Sequence, residues 1–393
     1  MPEKAVVQVS KGSSFDEENY TEFEASTSAE QSYDINNALY TYYVSKAVII
    51  GLKPNTTYTY RCYDTLVGVE GEEFTFTTRD RFASSFKFVH VSDSQSKASP
   101  ATNPNGVGTG YYYGNTMKGV ELNGFDADFI LHSGDIVEWS KYENYWTSMI
   151  GDNAKYFAEI PVMAIAGNHE ATYRNGDREL YKHFNYKIHE QDVSKGFSYS
   201  FNYGNIRFVM LDTNCLTSAR TLSADVYEWL ENTLKDNQQK WTIITMHHPM
   251  YSVGKYGSDT TLNAISLALR AQLSDLFAEN GVDLVIQGHD HTLSKTYPIG
   301  MNGAINNNFT YETINGTNYC TNANGAVYVM HGAASEQYRW PHDDAEAQFY
   351  EEYSNSEVSA WAEIEVDDNL LAVKVYSYNN GFPKLCMSYG IKK

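Results

Sequence analysis

The feature that most constrains this chain is a recurring junction, in which a short apolar run stops abruptly at residues able to hold a metal ion. In IPVMAIAGNHE the run opened by Pro161 is closed by Gly167 and followed at once by Asn168, His169 and Glu170. A short apolar run bounded by turn formers reads as a buried strand that ends in a turn. Asn168 offers a neutral carbonyl oxygen, His169 an imidazole that titrates near neutrality, and Glu170 a carboxylate able to orient that imidazole. One such turn would be only hydrophilic. Four other strand ends carry the same kinds of residue: Asp93 in VHVSDSQ, Asp135 in LHSGDIVEW, His247 and His248 in MHHPMY, and His289 and His291 in QGHDH.

From Phe86 onward these apolar strands alternate with helical segments, the pattern of layered α/β structure. Strands are expected at 86–91, 128–132, 161–166, 206–211, 241–246, 283–287 and 326–331. Ser223 is placed to cap a helix with Val226, Trp229, Leu230 and Leu234 on one face, and Ile265, Leu269, Leu273 and Leu276 stripe another that ends at Gly281. Both stripes read as core. The Asn- and Gly-rich stretch from Thr292 to about Gly325 reads as surface loop; it holds the glycosylation sequons Asn308-Phe309-Thr310 and Asn315-Gly316-Thr317. The last segment reads as a hairpin turning at Asp367-Asp368-Asn369.

Residues 1–82 are different. AVVQV, TYYVSKAVIIGL, TTYTYRCYD and EEFTFTT alternate with Gly, Asn, Asp and Ser clusters and read as all-β. The segment Leu52 to Tyr58, L-x-P-x-T-x-Y, resembles a fibronectin type III strand with its corner tyrosine. Two domains follow: a small β-sandwich over 1–82 with part of its strand set missing or divergent, and an α/β domain over 83–393. The start, MPEKAVVQVS, lacks the basic and apolar parts of a secretory signal, and a strand directly after Met1 suggests a mature form cut from something longer.

Composition removes several functions. A net charge of −20 argues against a nucleic-acid partner, because phosphate-backbone binders carry basic patches. No apolar run approaches the ~18–20 residues that cross a bilayer. Cys62, Cys215, Cys320 and Cys386 form no CxxC pair, which excludes a thiolate zinc site.

In an α/β sheet the carboxyl ends of strands share one edge, so Asp93, Asp135, Asn168, His169, His247, His289 and His291 can converge. Their oxygen and nitrogen donors suit zinc, iron or manganese. The order Asp, GD, GNHE, His, GHxH resembles the calcineurin-like metallophosphoesterases, and within them the purple acid phosphatases, from Phe86 to the carboxyl terminus. The resemblance implies a layered metallophosphoesterase β-sandwich flanked by helices, with two divalent ions at its edge. It implies that Asp135 bridges them, that Asp93 and His291 bind one, and that Asn168, His247 and His289 bind the other. His169, beside a ligand, can then protonate the leaving alkoxide or contact the phosphoryl oxygens, and Glu170 is its orienting partner or a structural cap. The implied reaction is in-line attack of a metal-bound hydroxide on a small-molecule phosphate ester, first a monoester and next a diester. An extracellular or cell-surface location is likewise implied by family analogy. The contrasting reading is a surface binding protein on a relic of this fold, distinguished by a failure to hydrolyse any phosphate ester when metal-loaded.

Two positions leave the family pattern. GDIVE puts Glu138 where purple acid phosphatases carry a tyrosinate, and DSQ puts Gln95 where other members carry a histidine. The open position falls to the Gln95 carbonyl oxygen, to Glu138 or to water; Gln95 is the expected ligand, with Glu138 opening the next helix. His90, His132 and His248 read as packing residues, and His331 as one that could line the cleft. Tyr111, Tyr112, Tyr113, Arg174 and Lys255 read as solvated residues of loops after the motifs, with contact to a substrate as the alternative.

Overall fold

The computed structural model of the chain describes residues 5–34, 36–80, 83–97, 110–171, 177–186, 197–259, 263–335, 341–355, 357, 359–379 and 381–393. Residues ahead of Phe86 form one six-stranded antiparallel sheet, built on Ala5–Lys11, Tyr20–Tyr33, Leu39–Ala47 and Thr57–Asp64 with two short strands at its edge. The strand Tyr20–Tyr33 was not expected: YTEFEASTSAEQSY is exposed along most of its length and so carries no apolar run to announce it. The strand expected at 41–52 ends at Ala47, which leaves Val48 and Ile50 exposed. The Tyr58 hydroxyl accepts a hydrogen bond from the Lys53 amide at 2.9 Å, the contact by which a corner tyrosine pins the preceding turn.

The sheet is seated on the α/β layers by named contacts. Tyr60 donates to the Ala158 carbonyl at 2.8 Å, and Ser32 to that of Lys141 at 2.7 Å. The Lys46 ammonium reaches the carbonyls of Tyr181 and Phe184 at the end of the helix Asp177–His183.

Beyond Phe86 two sheets lie face to face with helices outside them. The eight-stranded sheet contains Phe86–Val91, Phe129–His132 and Val162–Ala164 as parallel neighbours, with Ala360–Asp367 and Leu370–Asn379 pairing as the expected terminal hairpin. The seven-stranded sheet contains Ile206–Leu211, Trp241–Met246, Leu284–Gln287 and Val327–His331, also parallel. Alternate residues such as Phe88, Leu131, Phe208, Ile243, Ile286, Ile364 and Val373 fill the space between the sheets. The opposite faces take helices: Val226, Trp229, Leu230, Leu234, Leu269, Leu273 and Leu276 pack on one sheet, Tyr113, Met117 and Trp146 on the other. Strands covered on both faces are apolar at nearly every position, which is why they were legible.

Two local expectations need correction. Ser223 stands at the start of the helix Ala224–Lys235 but its hydroxyl makes no capping bond. The stretch after Thr292 is not a plain loop: Leu293–Thr296 is a buried strand, and Thr310–Ile314 with Thr317–Thr321 form a hairpin. Asn315 and Gly316 turn it with φ of 50° and 83°, the two left-handed residues that a tight hairpin requires. Its first strand is exposed at the sheet edge and so shows no apolar alternation. The helix Asn263–Glu279 does end as expected, with Gly281 at φ 62° and the Val282 amide bonded back to Phe277 at 3.0 Å.

Candidate metal centre

The two sheets deliver five strand ends to one place, three from the eight-stranded sheet and two from the seven-stranded one. Asp93, Asp135 and the pair Asn168-His169 follow parallel strands of the eight-stranded sheet; His247 and the pair His289, His291 follow those of the other. The backbone is contorted at this edge. Asp93, Gln95, Asp135, His289 and His291 all have left-handed φ, between 40° and 77°. For residues with a β-carbon this costs energy, and such outliers persist where surrounding structure enforces them, commonly at functional sites.

The donor atoms of these side chains meet at close range. The His247 Nδ1–H donates to the Ser133 carbonyl at 2.9 Å, so its Nε2 presents a lone pair. That Nε2 faces Asn168 Oδ1 at 3.0 Å, Asp135 Oδ2 at 3.2 Å and His289 Nδ1 at 3.2 Å. Donor atoms of Asp135, His247 and His289 all lie within 4.8 Å of one another. Beside them Asp93 Oδ1 lies 3.4 Å from His291 Nε2. Acceptors so close need a shared positive charge. Burial alone would lower the His247 pKa, yet Asp135 and Asp93 push it up to about 9; the pocket draws a cation onto its lone pairs. Burial raises the Asp135 carboxyl, but His247, His169 and His289 bring it well below its ordinary value. Gln95 points the same way. Its amide nitrogen meets His169 Nε2 at 3.0 Å, and its buried Oε1 has no hydrogen-bond partner among the described residues. An orphaned buried oxygen beside two carboxylates and three imidazoles fits a bound cation.

Glycines make the approach possible. A β-carbon on Gly167 would stand 2.1 Å from Asp135 Oδ1, and one on Gly288 2.5 Å from Ser92 Oγ. Real β-carbons do not come so near. The GD and GNH turns thus interlock through bare backbone.

The family profile described as calcineurin-like phosphoesterase matches residues 86–293, more than half of the chain and the segment that carries every one of these groups. The chain belongs to the calcineurin-like phosphoesterases. It is 28% identical to purple acid phosphatase 21 of Arabidopsis thaliana over 63% of this chain and 52% of that protein. It is 26% identical to acid phosphatase type 7 of Homo sapiens over 74% of this chain and 64% of that protein. The chain thus spans about half to two thirds of the length of the curated relatives it matches. A structure of the purple acid phosphatase PPD1 from yellow lupin seeds superposes with a TM-score of 0.75, at 19% identity, over 99% of this chain and 69% of that one. A structure of PhoD gives 0.64 at 12% identity. Both share the fold.

Within this calcineurin-like phosphoesterase, several residues stand elsewhere than expected. Glu170 does not orient His169. Wholly buried, it receives the amides of Asp135 and Gly167 on Oε2, at 2.9 and 2.8 Å, and those of Ile136 and Val137 on Oε1, at 2.9 and 3.1 Å. It ties two turns together. His169 is oriented by Nδ1–H donation to the Glu138 carbonyl at 2.7 Å. Glu138 opens no helix; the next one begins at Glu143, and the Glu138 carboxylate sits in the cleft 3.5 Å from Lys97 Nζ and 3.7 Å from His169 Nδ1.

The cleft encloses about 220 Å³ and is lined by Tyr256 as well as by Gln95, Glu138 and the ligand candidates. The Tyr256 ring lies 3.8 Å from that of His289, and no sequence argument had selected it. Its only signal was position, beside Lys255 in the loop after MHHPMY. Tyr112 and Tyr113 belong to the helix Gly110–Leu122, where Tyr113 is buried against His132 and Phe157 rather than reaching a substrate. Arg174 and the Tyr111 side chain lie outside the described residues. His248 is a packing residue, bonded to Thr213 Oγ1 at 2.9 Å. His331 does not line the cleft; it is buried between the sheets with His90.

Proposed function

We propose that the chain is a hydrolase of phosphate esters with two divalent metal ions, acting first on monoesters, and on diesters as the second reading. The observation that carries this is the meeting of lone pairs from Asp135, Asn168, His247 and His289 around one point, with Asp93 and His291 paired beside it. The first four would hold one cation, and Asp93, His291 and the Gln95 oxygen the other, with Asp135 serving both. Bound there, zinc, manganese or iron supplies Lewis acidity toward a phosphoryl oxygen and the means of activating water near neutral pH.

The chain's own groups do the rest. His169 stands at the cleft wall with its pKa raised: burial opposes the charge, but Asp135 and the Glu138 carbonyl and carboxylate outweigh that. At rest its Nε2 accepts from the Gln95 amide, and it serves the departing alkoxide by carrying a proton at Nε2 once the substrate displaces that contact. Tyr256 covers the face of His289 and limits the cleft to a small head group. With Glu138 in place of a tyrosinate, the ions are divalent and the protein colourless. Residues 1–82 are proposed as a reduced fibronectin type III-like module, supported by the Tyr58 corner. The chain's substrate is a small molecule, encountered outside the cell by analogy with its relatives; no described helix is long and apolar enough to cross a membrane.

The test is a substrate panel on metal-reconstituted protein, with aryl and alkyl monoesters, diesters, nucleotides and phytate. Hydrolysis that vanishes in Asp135→Asn together with metal occupancy is expected. His169→Ala should lose much more rate on alkyl than on activated aryl esters, which need little protonation. Metal-loaded protein inert on the whole panel supports the binding-protein reading, and a purple iron form refutes the divalent assignment.

A further inference from the structure

Between the two sheets, apart from the cleft, runs a file of polar side chains in an apolar interior. Tyr389, His331, His90, Ser133 and Ser92 are all buried, against neighbours such as Phe88 and Leu131. Tyr389 Oη lies 2.9 Å from His331 Nε2, and His331 Nδ1 lies 2.9 Å from His90 Nδ1. His90 Nε2 is 2.9 Å from Ser133 Oγ, Ser133 Oγ 2.7 Å from Ser92 Oγ, and Ser92 Oγ 2.5 Å from Asp93 Oδ2. Buried imidazoles in apolar surroundings stay neutral. Burial holds His331 down at about 3, and burial with the nearby His331 and His132 holds His90 well below its ordinary value.

The last member is a carboxylate, which only accepts, and this fixes every proton in the file. Ser92 must donate to Asp93, so it accepts from Ser133. Ser133 has then used its hydrogen, so it accepts from His90 Nε2–H. A neutral His90 protonated on Nε2 has a lone pair on Nδ1 and accepts from His331 Nδ1–H. His331 in turn accepts at Nε2 from the Tyr389 phenol. Five hydrogen bonds run in one direction, and each of the four groups between Tyr389 and Asp93 gives once and takes once. Such one-way chains polarise cooperatively in a low dielectric.

The structure assigns Tyr389, His331 and His90 as positioning residues for Asp93: the file delivers a hydrogen bond to Oδ2 and so keeps Oδ1, the oxygen beside His291, turned to the cation. The assignment rests on the phosphoesterase reading only in taking Asp93 as a metal ligand. Partners of this kind behind a metal ligand typically change affinity 10–100-fold when removed.

Two measurements test it. In metal-free protein labelled with ¹⁵N-histidine, long-range ¹H–¹⁵N spectra should show His90 protonated on Nε2 and His331 on Nδ1, with signals assigned through His90→Gln and His331→Gln. Either ring in the opposite tautomer overturns the file. In a zinc titration by calorimetry, His90→Leu should weaken one of two binding events about 10–100-fold. His90→Gln, which can offer an acceptor oxygen toward His331 and an amide donor toward Ser133, should bind as the unsubstituted protein does. Unchanged binding in His90→Leu, or equal losses in both variants, overturns the positioning role. Correct tautomers and zinc binding in a protein that hydrolyses no phosphate ester would instead sink the proposed function and leave this assignment standing.

Discussion

Glu170 shows how much a single carboxylate can organise. Its two oxygens take four backbone amides from the turns that carry Asp135 and Gly167. Replacing one oxygen with an amide turns a donor toward donors, so Glu170→Gln should destabilise the metal-free protein by about 1–3 kcal/mol, read by denaturant unfolding. Unchanged stability would show that these bonds are dispensable. The ligand candidates were legible as residue types at strand ends, since few other uses bring carboxylates, imidazoles and an amide to successive turns. The role of Glu170 was legible only as a choice between orienting His169 and capping structure, because GNHE places it one residue from His169 in sequence while the local turn directs it at the neighbouring loop. Tyr256 was hidden for a similar reason: a tyrosine in the short helix Lys255–Ser258 acquires meaning only when a ring such as His289 is found against it.

At the scale of elements, the strand-to-turn junction sets the tolerance of the site. Gly167→Ala would drive a β-carbon into the Asp135 carboxylate, so the turn must shift, and metal binding should be lost while the far-UV signature of the sheets remains. Retention of both ions in that variant would contradict the interlocked geometry. By contrast Gly316→Ala, in a hairpin distant from the cleft with φ at 83°, should cost about 1 kcal/mol and leave metal binding unchanged. Strands buried on both faces were easy to read, and their bounds held to within two residues at each end. The strands Tyr20–Tyr33 and Thr310–Ile314 escaped, because an exposed strand is stabilised by pairing with its neighbour rather than by an apolar face, and pairing leaves no trace in a single sequence.

For the whole molecule, the polar file between the sheets ties stability to acidity. His90 and His331 are neutral when folded and titrate near their ordinary 6.5 when unfolded. Below that value the unfolded chain binds more protons than the folded one, so their contribution is complete above about pH 6.5 and is lost as pH falls toward 3. The melting temperature of the metal-free protein should therefore drop over this window, and less steeply in His331→Gln; identical slopes would acquit the pair. The layered architecture was readable because alternating apolar strands and helices admit few arrangements, whereas the division of ligands between two sheets was not, since nothing in a strand records which sheet it joins. That division also governs kinetics. Because three strand ends come from one sheet and two from the other, and the ligands are spread from Asp93 to His291, the site exists only after both sheets have formed and stacked. Metal ions therefore arrive too late to guide the chain to its fold, and their effect should appear as slower escape from the native state with an unaltered rate of reaching it.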